Sequence, residues 1–324
     1  MSTWSKAVIA ILLAATVAVA GCAGEALAQN DLKIMAPAAP GGGWDQTARA
    51  MQQALVAEGL AKSVQVYNVT GAGGSVGIAQ FVTTSKGDPH QLMVNGLVMV
   101  GALLANRSPV TLDQTTPIAR LTAEALVIVV PASSSIKNAQ ERAAAVKADV
   151  AKVTWAGGSA GGVDHITAAL FVEKAGGDPS KVNYIPFSGG GESLAAVLGG
   201  KVTAGISGWG EYEGQIKAGK LRAIGVTSAQ RLPGNDTPTL REQGVDLVIA
   251  NWRSVVAPPG ITPDQRADLI ALIERMAKSS AWLDLLKQKG WEDDLLAGDA
   301  FAAFLREEQT RVKAVLTSIG LIKP

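Results

Sequence analysis

Apolar positions along this chain fall in short runs, and the spacing within the runs switches between two residues and three to four. "SVQVYNV" (63–69) alternates apolar and polar residues, which predicts a half-buried strand. "HQLMVNG" (90–96) and "ALVIVVP" (125–131) are continuous apolar runs short enough for buried strands, and "LRAIGVTS" and "VDLVIANWRSVVAPPG" add more. "NAQERAAAVKADV" (138–150) has helical spacing. So do two stripes near the C-terminus. Leu269, Ile273 and Met276 follow a helix start at Thr262, Pro263 and Asp264. Phe301, Leu305, Val312, Leu316 and Ile319 line another helix face that stops at Gly320. Between these elements one order repeats: strand, glycine loop, helix. It occurs in "IMAPAAPGGGWDQTARAM", "VTGAGGSVGIAQF", "TWAGGSAGGVDHITAAL" and "IPFSGGGESLAAVL". Strands alternating with helices predict an α/β fold with mostly parallel sheets. Loops after strands sit where open α/β sheets bind ligands.

The first 28 residues break the pattern. Lys6 precedes an apolar, small-residue run from 7 to 20, which predicts a secretory signal rather than an anchor. Two processing sites compete. Ala26-Leu27-Ala28 would release a chain from Gln29, whereas Val19-Ala20-Gly21-Cys22 resembles a lipobox that would make Cys22 a lipidated N-terminus. Cys22 is the only cysteine, so no disulfide can form within the chain even in an oxidising compartment. The fold must then rest on its core, and 324 residues that are 48% hydrophobic can supply one. The charge balance, 29 basic against 28 acidic residues, argues against a nucleic-acid binder. Two histidines, His90 and His165, are too few for a typical zinc site, and no acidic run has calcium-loop spacing. Neither a metal nor a cofactor is expected.

The glycine loops carry the candidate chemistry. A helix start presents unpaired N–H groups and the positive end of the helix dipole, so it favours an anion. Gly41, Gly42 and Gly43 let the backbone approach one closely, while Asp45 is expected to cap or brace the first turn. The nucleotide-binding patterns fail on spacing. In "GAGGSVG" the third glycine falls one place late, and no P-loop lysine follows any of the loops. "GGSAG" (157–161) does match the G-x-S-x-G turn of serine hydrolases, with Ser159 as nucleophile. The difficulty is the base, since the only later histidine is His165, in the helix that follows directly. A secreted serine hydrolase is therefore the alternative reading.

With "PGGGWDQTAR", "NVTGAGGSVG", "AGGSAGGVDH", "IPFSGGGESLAAVLGGKV", "GKLRAIGVTS" and "VVAPPGITP" in this order, nearly all of the mature chain resembles the solute receptors of the tripartite tricarboxylate transporter family, the TctC or Bug type. The resemblance implies a two-lobed periplasmic binding protein of the type II, Venus-flytrap fold. It also implies a periplasmic, non-enzymatic monomer that holds a small carboxylate and passes it to the large and small membrane subunits of a permease. Carried onto this chain, it places the ligand against Ala39, Gly41, Gly42, Gly43 and Trp44, against Gly73, and against the facing Ser159, Gly161, Gly162 and Val163, with His165 behind. Arg253 stands where many such receptors have an aromatic residue, and the branch it resembles is associated with citrate and other tricarboxylates. It is expected either to fork a second carboxylate or to form a surface salt bridge at the hinge. Asn95, Ser188 and Ser207 are further candidates. Lobe 1 is expected at 31–129 plus 252–324 and lobe 2 at 130–251.

Overall fold

Two sheets carry this pattern, one in each lobe. The computed structural model describes residues 31–187 and 189–323. The expected leader with its two processing sites, including Cys22, lies outside the described residues, as does Ser188. The first lobe holds β1 (Asp31–Ala36), β2 (Ser63–Asn68), β3 (Gln91–Gly96), β4 (Thr116–Ala123), β10 (Arg253–Ala257) and β11 (Glu292–Ala297). They form a six-stranded sheet in the order β11-β4-β10-β3-β1-β2. The second lobe holds β5 (Leu126–Pro131), β6 (Thr154–Gly157), β7 (Asn183–Pro186), β8 (Ala204–Gly208) and β9 (Leu221–Val226), in the order β7-β6-β8-β5-β9.

Pairing is mixed rather than mostly parallel, and each sheet divides in two. Where a strand, glycine loop and helix feed the next strand, the pairs are parallel: β1 with β2 and β3, and β6 with β7 and β8. Where the chain arrives from the other lobe it runs the opposite way. β10 is antiparallel to β3 and β4, and β5 is antiparallel to β8 and β9. The central strands are buried on both faces, as in Ile34, Met35, Leu92, Val94 and Val255 of the first sheet and Ile128, Val130 and Trp155 of the second. Among the described residues no helix is long and apolar enough to cross a membrane.

The lobes are joined by two crossing strands. β4 ends in the first sheet and Leu126 already opens β5 in the second, so the outward crossing lies at Glu124–Ala125, ahead of the expected 129/130 boundary. The return passes through Ala250 and Asn251. The two crossings pair with each other: Glu124 N–H donates to Asn251 O at 3.2 Å, Asn251 N–H donates to Glu124 O at 2.8 Å, and Ala125 bridges Ala250. A third contact comes from the C-terminal end, where Gly320 lies so close to Ser180 that a Cβ there would stand 2.8 Å from the serine's own.

The side chains at this joint are charged and buried. Arg253 and Glu124 are each 2% exposed, and Arg253 Nη2 donates to Glu124 Oε2. The guanidinium also lies 4.8 Å over the ring of Trp291. A buried ion pair is weak evidence of net stability, but removing one partner strands the other charge. Glu124→Ala should therefore lower unfolding stability by about 3–5 kcal/mol. Replacing both members by hydrophobic residues of similar volume should restore most of that loss. Urea unfolding of the two variants beside the wild type measures both.

Candidate functional site

The strand ends that carry the glycine loops open into one cleft between the lobes. β1, β2, β6, β7 and β8 all point their carboxyl ends at it, and the space they leave is about 400 Å³. Five helices begin at its edge: α1 (Gly43–Ala57) and α2 (Ser75–Thr84) in the first lobe, and α5 (Val163–Lys174), α6 (Gly190–Leu198) and α7 (Trp209–Lys217) in the second. Their N-cap residues are Gly42, Gly74, Gly162, Gly189 and Gly208, and among the described residues none of these starts receives a side-chain cap.

Helices that start elsewhere are closed differently. α3 (Leu97–Ala105) begins with Leu97 N–H bound to Trp252 O at 3.2 Å. α4 (Ala139–Ala148), α8 (Pro263–Ala277) and α9 (Ser280–Lys289) are capped by Asn138, Thr262 and Ser279. α3, after Gly96, and α10 (Gly298–Ser318), after Ala297, also start without a side-chain cap. A glycine cap costs a helix a few tenths of a kcal/mol relative to serine or aspartate and leaves the first-turn donors free. At the cleft those donors face the space a ligand would fill.

The two principal loops have the same internal design. Gly42 N–H donates to Ala39 O at 3.1 Å, and Gly162 N–H to Ser159 O at 2.9 Å. Thr47 Oγ1 donates to Gly43 O at 2.9 Å, and Thr167 Oγ1 to Val163 O at 2.7 Å. Gly41 and Gly161 both take left-handed φ, +82° and +73°. Their N–H groups turn back to the residue four places on: Asp45 Oδ2 at 2.8 Å in the first loop, His165 Nδ1 at 3.2 Å in the second. Asp45 is braced further by Arg49 at 2.9 Å and Asn68 at 2.9 Å. Burial pushes its carboxyl up, but Arg49, Gly41 N–H and Asn68 outweigh this and hold it below the usual carboxylate range. His165 stacks on Tyr184 at 4.2 Å, and burial lowers its pKa to about 4.

Of the residues singled out in the sequence, Ala39, Gly42, Gly43, Trp44, Gly73, Ser159, Ser207 and Arg253 line the cleft. Gly41, Gly161, Gly162, Val163 and His165 are not on its wall; they shape the loops behind it. Asn95 lies inside the first sheet, where its Oδ1 accepts from Ser254 Oγ at 2.8 Å. Phe187 and Gly189, on either side of Ser188, are on the wall. The glycines also answer to other neighbours than a ligand. A Cβ on Gly43 would stand 2.7 Å from the Arg253 guanidinium, one on Gly190 would overlap the Glu211 carboxylate, and one on Gly208 would overlap that of Glu124. On the opposite side the lobes touch backbone to backbone. A Cβ on Gly101 would lie 2.0 Å from Gly161 O, and one on Gly73 would lie 3.2 Å from the Ser159 Cβ.

Sequence reasoning passed over two acids on this wall, Asp164 and Glu211. Asp164 Oδ2 accepts from Gly158 N–H at 2.7 Å, and Glu211 Oε2 accepts from Ser207 Oγ at 2.7 Å. Burial pushes Asp164 up to about 7 against that N–H. Burial, and then the charge of Glu124, raise Glu211. The available signal for Asp164 was its place directly after a glycine loop, like that of Asp45; Glu211 carried none.

Comparison with known proteins bears on the whole chain. The model of the Tripartite tricarboxylate transporter family receptor matches residues 47–321. Protein BugT of Bordetella pertussis is 27% identical over 322 residues, 97% of each chain. A TctC solute binding protein from Polaromonas superposes with a TM-score of 0.66 at 26% identity, over 89% of this chain and 98% of that one. MatC from Rhodopseudomonas palustris, solved with bound malate, superposes with a TM-score of 0.75 at 25% identity, over 89% and 99%.

The two titrations act in opposite directions on stability. Between pH 4 and 7 the folded state keeps a proton on Asp164 that the unfolded chain has lost, so stability falls as pH rises through that window. Between pH 4 and 6.5 the unfolded chain binds a proton on His165 that the folded state refuses, so stability rises. Asp164→Asn keeps an acceptor for Gly158 N–H and removes only the first effect. Its stability relative to wild type should climb from pH 4 to 7, by up to about 1.4 kcal/mol per pH unit, and level off above. Urea titrations at several pH values would measure it.

Proposed function

The chain belongs to the tripartite tricarboxylate transporter receptor family, and on that premise we propose that it is a periplasmic receptor that closes on one small organic carboxylate and delivers it to the large and small membrane subunits of a permease. The observation that carries the reading is the set of glycine-started helices around the cleft, whose first-turn donors receive no side chain from their N-cap residues. A charge-assisted hydrogen bond contributes about 1.5–3 kcal/mol net. Micromolar affinity needs about 8 kcal/mol after ordering costs. One loop cannot supply that, and loops from both lobes can, so closure belongs to binding.

The cleft is built to hold rather than to react. A neutral imidazole has one acceptor nitrogen, and in His165 that nitrogen is Nδ1, taken by Gly161 N–H. No lone pair is left on it to activate Ser159, and this argues against the serine hydrolase. The expectation of a di- or tricarboxylate rested on Arg253 as a second anchor. Arg253 Nη2 is engaged by Glu124, so that support is reduced, and the ligand class is argued separately below.

Two measurements test the reading. Thermal unfolding of the chain from Gln29, refolded in citrate- and phosphate-free buffer, is followed with a panel of mono-, di- and tricarboxylates. A bound acid at 100 times its dissociation constant adds about 2.7 kcal/mol of stability. At least one acid should raise the melting temperature, and a panel without any response would overturn the receptor assignment. Gly101→Ala places a methyl group against the Gly161 carbonyl and holds the lobes apart. It should weaken that acid at least tenfold while moving the ligand-free melting temperature little. Unchanged affinity would show that closure at this contact is not part of binding.

A further inference from the structure

The cleft is chemically lopsided. On the first-lobe side α1 and α2 bring uncapped helix starts, and no acid of theirs lies on the wall, since Asp45 is turned away to Gly41, Arg49 and Asn68. The second-lobe side brings uncapped starts too, at α5, α6 and α7, but it also carries two acids, Asp164 and Glu211. Among the described residues neither is ion-paired with a lysine or arginine; Asp164 is held by Gly158 N–H, and Glu211 by Ser207 Oγ and Gly190 N–H. Arg253 is the only cation on the wall, and Glu124 already neutralises it. Lys289 lies outside, in a separate space of about 170 Å³ behind Gly43 and Glu211.

Two further groups point the same way. Asn251 is 8% exposed, lies on the wall, and its Oδ1 has no hydrogen-bond partner among the described residues. Arg253, 2% exposed and on the same wall, has Nη1 without a partner. A buried acceptor and a buried donor left unpaired each cost free energy until something meets them. Ammonium would supply no acceptor for Arg253, and carboxylate would supply no donor for Asn251 or Glu211. A hydroxyl or carboxamide supplies both.

We propose that this receptor selects a monocarboxylate with an uncharged hydroxyl or carboxamide at its far end, and that Glu211, with Asn251 and Arg253, is the group that rejects a second carboxylate. This rests on the carboxylate-receptor reading above. The ligand is oriented with its carboxylate toward α1 and α2 and its polar tail toward Ser207, Glu211 and Asn251. A second carboxylate in the tail position meets two acids and one cation that is already paired, so it is accommodated only by taking up a proton there, which its own carboxyl or one of the two acids must hold. Burial raises both Asp164 and Glu211, as expected of carboxyls surrounded by neutral donors rather than by cations.

The test uses sets of acids matched in length: 4-hydroxybutyrate, succinate, 4-aminobutyrate and butyrate; 6-hydroxyhexanoate, adipate and 6-aminohexanoate; 4-(hydroxymethyl)benzoate, terephthalate and 4-(aminomethyl)benzoate. Each is titrated calorimetrically into the refolded chain and into Glu211→Gln. In the set that fits, the hydroxy acid should bind wild type at least tenfold tighter than its dicarboxylate and its amino counterpart. Glu211→Gln should shrink the advantage over the dicarboxylate at least tenfold. A dicarboxylate or an ammonium-bearing acid that binds wild type as tightly as the hydroxy acid would sink the proposal, and so would a preference that Glu211→Gln leaves unchanged. Dicarboxylate binding by wild type as tight as that of the hydroxy acid would refute the selectivity while upholding the receptor. Silence from every acid with both proteins would instead remove the receptor reading, and this inference with it.

Discussion

An α-helix begins with N–H groups that have no partner inside it, and at this cleft the chain leaves them open. Everything else places or protects that deficit. The parallel halves of the two sheets aim strand ends at one space, so that helix starts from both lobes surround it. The glycine caps keep side-chain acceptors away from the donors. The twin loops hold their shape by tying Gly41 and Gly161 back to the next helical turn, through Asp45 in one and His165 in the other. The first tie is a carboxylate paired with Arg49, whereas the second is an imidazole that burial keeps neutral.

The hinge imposes a second constraint, and it explains glycines that the ligand does not. Arg253 and Glu124 sit on the two crossing strands and join them beneath the cleft. Their bulk requires bare backbone on both sides, at Gly43 in the first lobe and Gly208 in the second. The loops are thus glycine-rich for two reasons at once: donors must face outward, and charged side chains must fit behind. Arg253 therefore takes part in the joint between the lobes as well as in the cleft wall.

Much of the architecture was legible because it depends on local order. Strand, glycine loop and helix recur with the right spacing, and the helix start at Thr262 to Asp264 has a full capping box. What was not legible depends on distant partners. Nothing near Arg253 in the chain announces Glu124, and nothing near Glu211 says that its turn will face a ligand. Asn95 was singled out from its strand, yet its Oδ1 accepts from Ser254 of the neighbouring strand, a pairing fixed only by sheet order. β11, with the sequence Glu-Asp-Asp-Leu-Leu-Ala, is too charged to read as a strand; it exists as an edge because β4 offers it a free side. The crossing at Glu124–Ala125 precedes the apolar run Leu126–Pro131, which belongs wholly to the second sheet and says nothing by itself of which sheet it joins.

The open helix starts have an evolutionary consequence. A grip made of main-chain donors is not tied to particular side chains, since every residue except proline supplies the same N–H, provided the positions where a Cβ would clash stay glycine. Descendants of such a receptor inherit the carboxylate handle without selection having to maintain particular side chains for it. The far wall is the opposite case, because Ser207, Glu211, Asn251 and Arg253 act through side chains that one codon change can replace. A gene duplicate could drift at those few positions and acquire a new nutrient in small steps, while remaining at every stage a protein that still captures an acid.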